Sequence, residues 1–135
     1  MGLLFTGTAL FAQDIPASQV PSIVINQFNI DFPKAKDVEW ELESNGYKVD
    51  FEQGWNKDFE AWYSAAGDQI KLKEELSKNN LPKAVSSTLK STYPSYHIDD
   101  AERITENKTV TYKLEIEKRN HELTLYFNEK GIIIK

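Results

Sequence analysis

The residues of this 135-residue chain that could do chemistry are twenty-one carboxylates, two histidines and a set of large aromatics. Cysteine is absent, which excludes thiol catalysis, disulfides and thiolate metal sites. The serines fall in capping, turn or helix-surface contexts and lack the Gly-x-Ser-x-Gly elbow of a nucleophile, and no glycine-rich phosphate loop is present. His97 and His121 have no ligand-spaced partners and read as surface residues, because a metal site needs three or four convergent ligands. Asn107-Lys108-Thr109 has the form of a glycosylation sequon but reads as a turn. No catalytic residue, cofactor or metal is expected.

The carboxylates are unevenly spread. Residues 20–76 carry twelve acids against six bases, about −6; residues 77–135 carry eight against ten, about +2. Strand alternation places Glu39, Glu41, Glu43, Asp50, Glu52, Asp58 and Glu60 on one wet face of the first half. Such a face could dock a basic partner or hold Ca²⁺ loosely, although calcium asks for six or more oxygens from a loop and these acids are strung along strands. A glycosidase-like acid pair would need a cleft that the sequence does not announce. The plain alternative is a solvated face that discourages aggregation. The same alternation puts Trp62 among the acids, with Tyr126 at the matching place in the second half and Trp55 in the preceding turn. Exposed Trp and Tyr on an open sheet are the usual anchors of protein contacts, unless a bulge turns Trp62 inward. The candidate partner-binding set is Trp55, Trp62, Tyr126, Glu41, Asp50, Glu52 and Glu60.

The elements that must position this set come in two copies. Val20-Pro21-Ser22-Ile23-Val24 is answered 61 positions later by Leu81-Pro82-Lys83-Ala84-Val85, and Phe32-Pro33 by Tyr93-Pro94. Tyr47 to Glu52 is answered by Tyr112 to Glu117, Phe59 to Ser64 by Leu123 to Asn128, and Gly67 by Gly131. The displacement drifts by three or four residues between blocks, as loop insertions would cause. Each copy opens with an apolar stripe at helical spacing: Val24, Ile25, Phe28 and Phe32 on a helix over 18–31, then Val85, Leu89 and Tyr93 on a second, with Asn80 as its N-cap. Prolines start and stop both. Alternating strands follow: Val38, Trp40 and Leu42 inward, the Asn45-Gly46 hairpin, then Tyr47, Val49 and Phe51, then Phe59, Ala61 and Tyr63, then a strand over 69–73. The second copy repeats this, except that the register of its first strand, near 100–105, does not follow from alternation. Strands with one packed and one wet face, covered by helices on one side, make a two-layer α+β domain.

At 135 residues this is one domain with a real core, and 40% hydrophobic content is too rich for disorder. A net charge of −5 argues against nucleic-acid binding. Residues 1–13 are different in kind: an uncharged apolar run from Leu3 to Ala12, too short to span a bilayer, reads as a signal-peptide remnant, with a buried strand as the other reading. Residues 14–135 then form the mature domain, two repeats at about 20–76 and 77–135, with no membrane insertion after processing.

The duplicated series of helix, Phe-Pro, charged strand, Asn-Gly, Tyr-Lys-Val-Asp-Phe and Trp-Tyr-Ser-Ala-Ala-Gly-Asp resembles the PepSY-like, or beta-lactamase-inhibitor-protein-like, family of exported bacterial proteins over nearly all of residues 20–135. The resemblance implies two repeats sharing one extended antiparallel sheet with helices on one face, a periplasmic or secreted location, and no catalytic residues. The expectation is a monomeric, non-enzymatic binding or inhibitor-like module whose open sheet face docks another envelope or extracellular protein. The alternative is a small-ligand or cation-binding protein using the acidic face.

Overall fold

The computed structural model describes residues 13–55 and 57–135. The expected leader lies outside the described residues up to position 12; Gln13 opens the first strand. The chain runs β1 (Gln13–Ile15), α1 (Ser22–Asp31), β2 (Lys36–Glu43), β3 (Gly46–Glu52), β4 (Asp58–Tyr63), β5 (Gln69–Glu75), α2 (Lys83–Thr92), β6 (His97–Glu106), β7 (Thr109–Lys118) and β8 (His121–Asn128). The eight strands form one antiparallel sheet in chain order, β1 to β8. Among the described residues, no helix is long and apolar enough to cross a membrane.

Both helices start later than their apolar stripes suggest. Pro21 and Pro82 stand at the N-caps with matching backbone angles, and the residues before them, Val20 and Leu81, are extended. A proline disfavours helical geometry in the residue before it. Residues 17–19 and 78–80 therefore form separate 3₁₀ turns, so Asn80 sits in a turn and not at the cap.

The drift between copies has a visible cause. Val24 and Val85 both donate to the proline carbonyl three residues back, and a 61-residue displacement holds as far as Ala101, which pairs Leu114 as Trp40 pairs Val49. The second copy then has a longer hairpin, with β6 and β7 of ten residues each against eight and seven for β2 and β3. Its turn, Asn107-Lys108, has both residues at positive φ, the two-residue form that matches strand twist. Both leading strands are irregular at the same place, β2 between Lys36 and Glu39 and β6 between Ile98 and Asp100. The extra residue shifts the alternation by one, which is why the register of β6 could not be read from its sequence.

Each helix buries its stripe on the inner face of its own half-sheet. In the first half Phe28, Phe32, Phe51 and Phe59 pack ring to ring at 4.6–6.2 Å, with Trp40 and Tyr63 edge-on to Phe28. In the second half Leu89, Ile116, Leu114, Tyr112 and Phe127 do the same work with less aromatic bulk. Val38 and Leu42, expected inside, are about 40% exposed: Val38 lies in the irregularity of β2, and Leu42 lies toward the sheet margin, where β1 is only three residues long. On the inner face where the halves meet, Arg103 donates to the Glu74 carboxylate, and that hydrogen bond is the main reason its guanidinium is held more firmly protonated than usual.

Tyr63 closes the first core. Its hydroxyl donates to Asp31 Oδ2 at 2.8 Å, and Gln27 and Gln69 hold the same carboxylate. Burial, then the Asp31 contact, push the phenol pKa well above its ordinary value. A free tyrosine ionises near pH 10, so above that pH the unfolded chain releases a proton that the folded chain keeps. Stability contributed by Tyr63 is complete below about pH 10 and falls by about 1.4 kcal/mol per unit above it, until Tyr63 itself ionises. Tyr63→Phe, the residue found at the matching Phe127, is expected to lose about 1–2 kcal/mol at neutral pH yet decline less steeply in alkali. Urea unfolding of both proteins at neutral and alkaline pH measures this; parallel declines would remove Tyr63 from the explanation.

Candidate functional site

Among the described residues the outer face of the sheet carries no helix, and pairing across it fixes which side chains meet. One row runs Glu41, Lys48, Trp62, Lys71, Glu106 from β2 to β6. The next runs Asp50, Glu60, Lys73, Ile104, and a third brings Glu52 opposite Asp58. The sequence-expected residues Glu41, Asp50 and Glu60 converge on one ammonium: Lys48 Nζ lies 3.6, 3.5 and 3.7 Å from their oxygens. Burial works against the charge on Lys48, but Glu60, Asp50 and Glu41 together outweigh it and raise its pKa. Burial also pushes the Asp50 carboxyl up, with Lys48 opposing. Glu52 is outside this group.

Lys73 makes a second junction, 3.7 Å from Glu60 and 3.4 Å from Glu102. Lys73 itself, with Asp58, Glu60, Glu74, Glu75, Asp100 and Glu102, lines a shallow hollow of about 280 Å³. Burial and the adjacent Asp58, with Asp100 beyond, hold the Glu75 carboxyl above the usual range. The acidic face is thus not a bare anionic surface. Lysines already occupy its centre in the first half, and the less compensated acids lie across β4, β5 and β6, where both copies contribute. Asp100, Glu102 and Glu75 were not singled out from the sequence, because their convergence depends on the pairing of β5 with β6.

Trp62 is on the outer face, as alternation requires. The irregularity beside it belongs to β5, where Ile70 is the extra residue between the partners of Trp62 and Tyr63, so Tyr63 stays fully buried. Trp62 is half-buried: its indole N–H donates to Glu43 at 3.1 Å, and Lys71 and Lys48 Nζ lie 4.8 and 5.7 Å from its ring. Tyr126 repeats this, with Lys113 opposite it and Lys135 Nζ 5.9 Å from its ring. The structure does not gather the aromatics. Trp62 and Tyr126 are four strands apart, about 19 Å, with a cumulative twist of about 80–100° between them. Trp55 is 90% exposed in the β3–β4 turn, beyond the opposite end of β4 from Trp62.

His97 corrects the reading that neither histidine has ligand-spaced company. Asp99, the bulged residue of β6, lies beside it, and Nε2 is 3.0 Å from Asp99 and 3.6 Å from Glu117. Among the described residues these three are the group of histidine and carboxylate ligands close enough to share an ion. The hydrogen bond and charge of Asp99 raise the pKa of Glu117. They offer three of the four ligands of a tetrahedral site, at the exposed start of β6. Only the bulge could have revealed this grouping in advance, and alternation hides a bulge.

Two copies of a helix followed by antiparallel strands, sharing one sheet with a bare face, define the class of fold. The family model described as "Putative beta-lactamase-inhibitor-like, PepSY-like" matches residues 11–64 and again 55–135, and the chain belongs to that family. A BLIP-like protein from Bacteroides fragilis is 23% identical, with a TM-score of 0.74 over 90% of this chain and 85% of that one. A DUF2874 family protein from Bacteroides uniformis is 18% identical, with a TM-score of 0.75 over 85% of this chain and 86% of the other. A protein from Bacteroides eggerthii described as "putative periplasmic" is 15% identical, with a TM-score of 0.76 over 86% of each. At these identities the likeness is one of fold. None of the curated proteins matches the sequence.

Proposed function

We propose that this protein is a monomeric, non-enzymatic binding module of the cell envelope, docking a protein partner on the outer face of its sheet. The observation that carries this is the acidic hollow at the middle of a sheet face that the described residues leave uncovered, with Trp62 one row away. An acidic hollow flanked by an aromatic suits a lysine or arginine side chain of the partner, whose charge Asp58, Glu75 and Asp100 would neutralise. The inhibitor-like description of the family and the envelope description of one structural neighbour support the reading. The cation-binding alternative is weaker, because Lys48 and Lys73 already take the positions among the first-half carboxylates that an ion would need. Trp62→Ala is expected to weaken the partner by about 2 kcal/mol, and Glu102→Lys to abolish the salt-sensitive part of binding. Envelope proteins captured by the parent, each variant and Lys90→Gln on the helix side provide the comparison. Equal capture by all four sinks the proposed surface.

A further inference from the structure

A second hollow, of about 490 Å³, lies on the helix side of the second copy beside α2. Its apolar lining includes Leu81, Leu89, Tyr93 and Ile98, and Lys78, Lys83 and Lys90 stand around it. No aspartate or glutamate lines it, in a chain of net charge −5. His97, at one end of the lining, lies against the carboxylates of Asp99 and Glu117.

The first copy carries different residues at the matching positions. At the positions of Lys78, Lys83 and Lys90 it has Ala17, Ser22 and Asn29, none of them charged. Where it packs Phe28, Phe51 and Phe59, the second copy has Leu89, Ile116 and Leu123. Each exchange removes aromatic volume, and Leu123 is left 36% exposed where Phe59 is 8%. Ala35 has become Tyr96, which packs edge-on to Tyr93 at 5.5 Å and lies 5.9 Å from Lys118 Nζ. So on the same scaffold the second copy has Leu89 in place of Phe28 in the lining, and three cations around it where the first copy has none. Solubility alone would account for scattered lysines, but not for lysines around an apolar floor.

The geometry points to a binding site for a small amphiphilic anion: an apolar body on Leu81, Leu89, Tyr93 and Ile98, with a single carboxylate, phosphate or sulfate head among Lys78, Lys83 and Lys90. The volume lies within the range of small-molecule sites, about 300–1,000 Å³. The site is on the opposite face from the proposed docking surface, and the two can succeed or fail separately.

Backbone amide NMR titrations with monomeric dodecanoate, dodecanol and inorganic phosphate test it. Dodecanoate is expected to shift the amides around Ser86, Leu89, Tyr93 and Ile98 in a saturable way, and to bind more tightly than either other probe. Removing two exposed cations, Lys83→Gln with Lys90→Gln, is expected to weaken dodecanoate by up to about tenfold and leave dodecanol unchanged. Ser86→Trp, on the half-exposed lining, is expected to block both chain-bearing probes while leaving the strand amides folded. Equal affinity for dodecanol overturns the anionic head, phosphate binding as tightly as dodecanoate overturns the apolar floor, and shifts confined to the sheet face or absent at millimolar probe overturn the site.

Discussion

Phe28→Ala is expected to destabilise the protein by about 3–5 kcal/mol, a large part of the 5–15 kcal/mol that a domain of this size has in total. Phe28 is the residue on which the first core converges: its ring lies 5.1–6.3 Å from those of Phe32, Trp40, Phe51 and Tyr63, and the side chain is 3% exposed. Removing it takes away the transfer energy of a ring and leaves a void lined by four others, three of which, Trp40, Phe51 and Tyr63, are held by the pleat of their strands and cannot move inward. Leu89→Ala at the matching place is expected to cost less, about 2–3 kcal/mol, because Leu89 borders a hollow that is already open. Urea unfolding of the two variants gives the comparison, and equal losses would contradict the view that the copies are filled to different degrees.

The second large effect is expected at Gly131→Ala, a loss of at least about 3 kcal/mol. Gly131 has φ of +77°, and a Cβ there would stand 2.4 Å from the Ala84 carbonyl oxygen and 2.5 Å from its carbon. Both atoms belong to the first turn of α2, so relief requires the helix to move off the sheet. The Gly131 carbonyl also accepts a 2.7 Å hydrogen bond from Thr88, tying the same turn to the same helix. Gly54 is the control. Its φ is +76°, but no described residue lies within 4 Å of its would-be Cβ, so Gly54→Ala is expected to carry the backbone strain alone, about 1–2 kcal/mol. If thermal or urea unfolding shows the two alanines to be equivalent, close helix approach is not what Gly131 provides. Gly67 makes the corresponding approach to Ile23 in the first copy, 61 residues before Ala84.

The duplication, the inward-facing Val49, Phe51, Ala61 and Tyr63, the two helices and the outward position of Trp62 were all legible in the sequence. Each rests on a period of 2 or 3.6, or on a proline or glycine whose backbone geometry is restricted in a known way, and those are local properties. What the sequence could not supply was anything that depends on which strands lie side by side. It named Glu41, Asp50 and Glu60 as a partner-seeking acidic surface, but only pairing with β3 puts Lys48 among them. It set Trp62 and Tyr126 together as equivalents in the repeat, yet equivalence under a repeat places residues apart, one in each half of the sheet. It missed Glu75, Asp100 and Glu102, which meet only because β5 of one copy pairs with β6 of the next. It gave His97 no company, because a single extra residue in β6 reverses the facing of everything before it. Local periodicity decides which way a side chain points; the sheet's pairing and its bulges decide what it points at, and charge on this surface acquires meaning only from the second.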